Sequence, residues 1–370
     1  MSAAAGDDAS TRRHLSELGR APRPAGGAAE AAARAYAATV LRTAGFTVTG
    51  ERFAYSAFPG RWGTPVGGVL AALTVLGSAA VAHSSLPRGA ALAVVVLGLL
   101  LVAAHARAML GDAVLDLPWL RAESVNLVAT RGVAVPDVWL VAHLDSKSQP
   151  ISSAWRVAGV VTLAAALGMA AVAAGLRAGG VDLLAAWWAA VVPGTLGGAV
   201  VAGSTVGDGS PGALDNASGV AAVLAAAERL PPQWAVGVLL PSAEELGLAG
   251  ARAWARRWGS RHPSGVALNC DGVDDRGPLT LLYSGALPAS LVELLRRHAP
   301  ERVRARRMPL GLLTDSVALA DHGWRTVTVS RGDLASLRRV HSARDSLAQL
   351  TGVGLEPVIT LLVGAVEALA

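Results

Sequence analysis

Four apolar runs limit what this chain can become. Thr64 to His83 and Ala90 to Leu110 are joined by a six-residue stretch, SSLPRG, and Ala154 to Leu176 and Leu183 to Gly203 are joined by another, RAGGVD. Each run is close to the roughly 20 residues a helix needs to cross the hydrocarbon of a bilayer, so the pattern predicts two transmembrane hairpins. Composition agrees, since 52% of the 370 residues are hydrophobic and the mean hydropathy is +0.45, above the soluble norm. Because each hairpin leaves and returns on one side, everything outside the hairpins lies on one face of the membrane. Flanks on that face carry Arg52, Arg61, Arg107, Arg121, Lys147 and Arg156, whereas the opposite loops offer Arg88 and Arg177, the latter near Asp182. The excess of positive charge predicts a multi-pass protein of the cell membrane whose remaining chain is cytoplasmic. Trp62, Trp119, Trp187 and Trp188 read as interfacial anchors, Trp188 equally as helix packing, and the Gly194/Gly198 spacing suggests close helix contact.

Outside the hairpins the pattern changes to alternating strands and helices. Residues 1–10 are polar and alanine-rich, have no secretory apolar core, and are expected to be disordered. Segments 11–63, 111–150 and 205–370 then read as one domain interrupted by the hairpins at 64–110 and 151–204. Short apolar runs at Val125 to Thr130, Asp137 to Ala142, Ala235 to Leu240, Gly265 to Cys270, Leu279 to Tyr283 and Thr326 to Ser330 read as strands, with a basic one at Arg302 to Arg307. Helices are expected at Ala217 to Leu230, Leu246 to Trp258, Pro288 to His298, Asp315 to His322 and Val353 to Leu369. Such alternation predicts an α/β fold, a mixed and mostly parallel sheet flanked by helices. The net charge of +5 comes from 32 basic residues, of which Lys147 is the one lysine. They form no compact run with interleaved aromatics, which argues against a nucleic-acid partner. A single cysteine, Cys270, excludes an intrachain disulfide and reads as a small buried hydrophobe.

The chemistry-bearing residues collect where these strands end. Asp215 sits in PGALDNASG, directly before an apolar helical run, which predicts a carboxylate at a helix N-terminus. His143 and Asp145 follow one strand, Glu244 and Glu245 another, Asp271 a third, and His341 lies late in RRVHSARD. In an open α/β sheet ligands gather beyond the carboxyl ends of the strands, so one shared site is expected. His14, His83, His105, His262, His298 and His322 lack such partners and read as structural.

From about Leu15 to the C-terminus this order of motifs, His143-x-Asp145, Asp215-Asn216-Ala217-Ser218-Gly219, Glu244-Glu245-Leu246-Gly247, Asn269-Cys270-Asp271 and His341, resembles the M28 family of zinc aminopeptidases. The resemblance implies two zinc ions per chain, with Asp215 bridging, His143 and Asp271 completing one and Glu245 and His341 the other. It also implies Glu244 as the general acid/base that activates a bridging water, and Asp145 as the acceptor that orients His143. The expected substrate is a peptide with a free N-terminus, cleaved after its first residue by a protein embedded in the lipid bilayer. A glutaminyl-cyclase-like acyltransferase using one zinc and a non-catalytic membrane receptor or scaffold are the alternatives. Leu144 stands where the family often has tyrosine, and the arginine-rich RGDLASLRRV before His341 is unusual, so the preferred substrate does not carry over. Asp315 resembles the family's late Ser-Asp segment and equally fits a helix N-cap. HExxH and GxSxG are absent.

Overall fold

The computed structural model describes residues 2–133, 135–259, 265–309 and 311–369. They form two compact units, one of Met1–Ala57, Val114–Ser148 and Asp208–Ala370, the other of Phe58–Ala113 and Gln149–Gly207. The first helices in chain order are α1 (Ser2–Leu18), α2 (Ala28–Thr43), α3 (Thr64–Ala82), α4 (Ala90–Met109), α5 (Ala113–Asp116), α6 (Ser153–Ala178) and α7 (Leu184–Ala202). There follow α8 (Ser218–Arg229), α9 (Ala249–Trp258), α10 (Ala289–His298), α11 (Asp315–Ala320), α12 (Leu334–Arg339) and α13 (Leu355–Leu369). The strands are β1 (Thr47–Ser56), β2 (Arg121–Arg131), β3 (Val138–Val141), β4 (Val236–Leu240), β5 (Val266–Val273), β6 (Leu279–Tyr283), β7 (Arg304–Arg307) and β8 (Arg325–Arg331).

The first unit is built on one eight-stranded sheet, ordered β1-β2-β4-β3-β5-β8-β6-β7. Its centre, β4, β3, β5 and β8, is parallel, while β1, β2 and β6 join antiparallel and β7 pairs parallel with β6. The mixed, mostly parallel sheet expected from the alternation is therefore present. Its central strands are covered on both faces, which is why they read as unbroken apolar runs. On β3, Val138 and Leu140 join a core with Leu41, Val223, Leu224 and Leu362 from α2, α8 and α13. Trp139 and Val141 face the other way, toward Trp254 of α9, Leu319 of α11 and Trp324. Alternate residues of one strand thus serve two helical layers. Helix α1 reaches back into residues 1–10, where the sequence predicts disorder; beyond that stretch, Leu15 and Leu18 are buried in the core and His14 is held by Tyr36 and Glu228, so α1 has an anchor that local composition does not reveal.

Both insertions leave and re-enter this unit at points that hydrogen bonds already hold together. The Ala57 amide donates to the Leu120 carbonyl (2.9 Å), and the Gly209 amide to Ser148 Oγ (2.8 Å).

The second unit contains α3, α4, α6 and α7, the four described helices long and apolar enough to cross a membrane. Small residues let them approach closely. A Cβ on Gly198 would lie 2.5 Å from Ala72, one on Gly194 2.9 Å from Val75, and one on Gly159 2.7 Å from Val200. Leu97, Leu100 and Leu196 point outward and are exposed. Trp187 does not serve as the outward anchor its position suggests; it is buried edge-on to His83, 6.5 Å between ring centres, and the adjacent Trp188 faces out. Neighbouring helix residues lie about 100° apart, so only one of the pair can face the bundle.

Trp139, Trp254 and Trp324 form a ring cluster with centroids 4.8 to 6.5 Å apart. Gly237 of β4 makes room for it, since a Cβ there would meet the Trp139 ring at 2.3 Å. Gly237→Ala is expected to cost about 1–3 kcal/mol through overpacking, read as a lower thermal midpoint in detergent. An unchanged midpoint would mean that the cluster is loosely packed.

Candidate metal centre

The candidate side chains come from the carboxyl-terminal part of a central strand, from segments that follow such a strand, or from the turn that enters α8. His143 and Asp145 follow β3, Glu244 and Glu245 follow β4, Asp271 lies near the end of β5, and His341 follows β8. Asp215 occupies a wide turn before α8, with φ −117° and ψ 90°. It therefore precedes the helix; α8 begins at Ser218, and the expected N-terminal placement is shifted by a turn.

Asp215 is the centre of the cluster. Its Oδ1 lies 3.1 Å from His143 Nε2 and its Oδ2 3.0 Å from His341 Nε2. His143 Nε2 is also 3.8 Å from Asp271 Oδ1 and 4.0 Å from Glu244 Oε2, while His341 Nε2 is 3.4 Å from Glu245 Oε2. Two groups of donor atoms result, His143/Glu244/Asp271 and Asp215/Glu245/His341, each within 4.8 Å of one another. All six cluster residues read from the sequence thus converge. Asp145 acts differently from expectation. His143 Nδ1 meets the Asp145 main-chain carbonyl at 3.0 Å, and the carboxylate, at 3.6 Å, is beyond hydrogen-bonding reach. That carboxylate instead accepts the amides of Glu244 (3.1 Å) and Glu245 (3.2 Å), and so fixes the Glu-Glu dipeptide.

The turn carrying Asp215 is held from several directions. Asn216 Nδ2 donates to the Cys270 carbonyl (2.8 Å), and its Oδ1 accepts the amides of Gly219 (3.0 Å) and Gly272 (3.3 Å). A Cβ on Gly219 would lie 2.2 Å from that same oxygen, so the glycine of the DNASG stretch is a packing requirement. Asp345, which the sequence reading did not single out, accepts the amides of Leu214 (2.6 Å) and Asp215 (3.1 Å). Arg23, also missed, is buried and donates to the carbonyls of Leu144 (2.9 Å), Pro211 (2.7 Å), Gly212 (3.0 Å) and Leu18. It ties the loop after β3 to the loop before Asp215. A lone arginine 121 to 189 residues before the site loops it holds leaves no local signal.

Lys147, counted in the sequence among membrane-flanking charges, reaches inward and lies 2.6 Å from Glu245 Oε2. Asp315 is the first residue of α11 behind its N-cap, Thr314; both carboxyl oxygens are buried without a hydrogen-bond partner, so it does not cap. Away from the cluster, His14 binds Tyr36 and Glu228, and His83, His105 and His322 each bind a main-chain carbonyl, as structural histidines do. His262 lies outside the described residues.

Electrostatics reflect crowding of like charge. Burial raises the Asp215 carboxyl, but the His143 and His341 imidazoles outweigh it and hold it well below its usual range. Burial likewise raises Glu245, and Lys147 with His341 brings it down to about 2. Glu244 has no such relief. Burial together with Glu245, Asp315 and Asp271 raises it well above the usual range despite His143. Burial lifts Asp315 to about 8 and also raises Asp271 and the Cys270 thiol.

Residues 192–361 match the sequence model of Peptidase family M28. No curated protein matches the chain in sequence. Among solved structures, a zinc aminopeptidase from Bacillus subtilis shares the fold with a TM-score of 0.57 at 15% identity, over 98% of this chain and 95% of that one. An aminopeptidase from Aneurinibacillus sp. strain AM-1 gives 0.56 at 14%, over 97% and 93%. A Fimbriiglobus ruber glutaminyl cyclase gives 0.55 at 14%, over 97% and 94%. The M28 match contains Asp215, Glu244, Glu245, Asp271 and His341, while His143 and Asp145 precede it.

Behind the cluster, Glu30 of α2 is fully buried, accepting from the Gly26 amide (2.8 Å), Ser124 Oγ (3.4 Å) and Arg34 Nη1 (3.4 Å) with Oε1 unpartnered. Burial, with Asp145 nearby, raises it from 4.5 to about 7. Since the folded value is the higher, folding takes up a proton between these values, and Glu30 costs stability as pH rises from about 4.5 through 7. Glu30→Gln is expected to gain on the natural protein by about 1–3 kcal/mol between pH 5 and pH 8. Thermal midpoints of both proteins across that range check it, and a constant or shrinking difference would contradict the assignment.

Proposed function

We propose that this chain is a membrane-embedded dizinc aminopeptidase that removes the first residue of peptides with a free N-terminus. The observation that carries the reading is Asp215, whose two oxygens face two different imidazoles at 3.1 and 3.0 Å, the disposition of a carboxylate shared between two cations. The donor set fits zinc in kind, being imidazole and carboxylate only. It also fits in its unmet demand, since four carboxylates crowd two imidazoles and the buried Glu245 Oε1 has no hydrogen-bond partner. His143, Asp215 and Asp271 would hold one ion, and Asp215, Glu245 and His341 the other.

Bound there, zinc would polarise the scissile carbonyl and make an attacking water acidic enough to lose its proton near neutral pH. Glu244 receives that proton. Its carboxyl is set in place by the Asp145 clamp on its amide, and its raised proton affinity suits it to take a proton and return it to the leaving amine. Asp145 orients His143 through its carbonyl, and Arg23 and Asp345 hold the two loops in register. The likeness to aminopeptidases supports the choice of a free N-terminus, and α3, α4, α6 and α7 would span the bilayer.

Glu244→Gln is expected to lower amino-acid release from unblocked peptides by about a thousandfold or more while retaining the zinc of the natural protein. N-acetylated peptides should resist both. Metal bound with no release, and cyclisation of N-terminal glutamine instead, would support a cyclase, a reading favoured by the likeness to the F. ruber enzyme. Neither metal nor turnover would leave a scaffold. For orientation, a C-terminal reporter that is active only outside the cytoplasm should stay silent, and a signal from it would invert the topology.

A further inference from the structure

Lys147 is the one lysine in a chain with 32 basic residues, and its ammonium lies inside the proposed centre. Its side chain is only 16% exposed, and Nζ is 2.6 Å from Glu245 Oε2. That same oxygen is 3.4 Å from His341 Nε2, so the ammonium sits on the Asp215/Glu245/His341 group, not the His143 group. An ammonium is a compact point charge, so it can take a position beside a carboxylate oxygen that a metal ion would otherwise hold. The position of this ammonium separates the two groups. A divalent ion held by Asp215, Glu245 and His341 would share Glu245 with this ammonium, and the repulsion between the two cations falls on the group that Lys147 touches.

We propose, resting on the metallopeptidase reading, that Lys147 is an internal competitor for metal at the Asp215/Glu245/His341 group. It makes the two halves of the centre unequal. One ion binds tightly, and the second binds only at higher metal concentration, after the ammonium has moved off Glu245. Full activity would therefore track the local zinc supply through a residue of the chain itself.

The test is a zinc titration of the full-length protein in detergent, starting metal-free and reading bound zinc by calorimetry and by elemental analysis after desalting. The natural protein should bind two equivalents whose dissociation constants differ by at least a hundredfold. Lys147→Met should tighten the weaker step at least tenfold, whereas Lys147→Arg, which keeps a charge, should leave the steps unequal. Size-exclusion position and thermal midpoint establish that each variant is folded. Should Lys147→Met misfold, Lys147→Gln takes its place in the same titration. Two equally tight steps in the natural protein would overturn the proposal and leave the metallopeptidase reading standing. An unchanged or weakened second step in the methionine variant would also overturn it, and would make Lys147 a holder of Glu245. No zinc bound by any of the proteins would overturn both.

Discussion

Placing four carboxylates within a few ångströms of one another at the buried end of a sheet is the constraint that the rest of this structure accommodates. Like charges out of water repel strongly, and each buried carboxylate loses hydration that only a cation or a set of donors restores. The chain answers with different partners at each member. Asp215 faces two imidazoles, Glu245 faces Lys147 and His341, and Glu244 is left with its proton affinity raised. On the proposed reading, that unequal distribution would separate a cation-holding carboxylate from a proton-handling one within a single dipeptide.

Holding such a cluster together falls largely to main-chain hydrogen bonds from charged side chains just outside it. Asp145 accepts two amides from the Glu-Glu loop, Asp345 accepts two from the Asp215 turn, and Arg23 donates to carbonyls on both the β3 and Asp215 loops. Each of these groups fixes backbone position. Replacing any of them would release a loop as well as change the local charge, and a multi-residue donor set is sensitive to such a displacement.

The sheet and its cluster were legible because they rest on local patterns. Apolar runs of strand length ending in His, Asp or Glu identify both the strands and the end at which ligands gather, and β3, β4 and β5 lie where those runs predict. The partners of the cluster were not legible. Arg23 and Asp345 act across 121 and 130 residues of sequence, and nothing near either one distinguishes it from a surface charge. Lys147 looked like a flanking charge because sequence gives position along the chain and not direction of the side chain. Trp187 and Trp188 were ambiguous for the same reason, since adjacent helix positions differ in facing and only packing decides between them. Asp145 shows the finest limit: its place beside His143 was readable, but whether its carbonyl or its carboxylate would meet the ring depended on where the Glu-Glu loop came to rest.

The hairpins pose the opposite question, how a sheet tolerates two long apolar insertions. Loop-closure entropy rises slowly with loop length, so a long insertion is costly mainly if its ends must be brought together against the fold. Here they need not be. Ser56 pairs with Arg121 at the end of the β1–β2 ladder, and Ser148 meets Gly209 where the second insertion closes, so each pair of ends is already joined by elements that the sheet requires. The second closure falls between the loop carrying His143 and the turn carrying Asp215, the same two segments that Arg23 ties together. The geometry of the cluster is consequently fixed from within the α/β unit. A long apolar segment can be added at these points without any of the six cluster residues having to come from it.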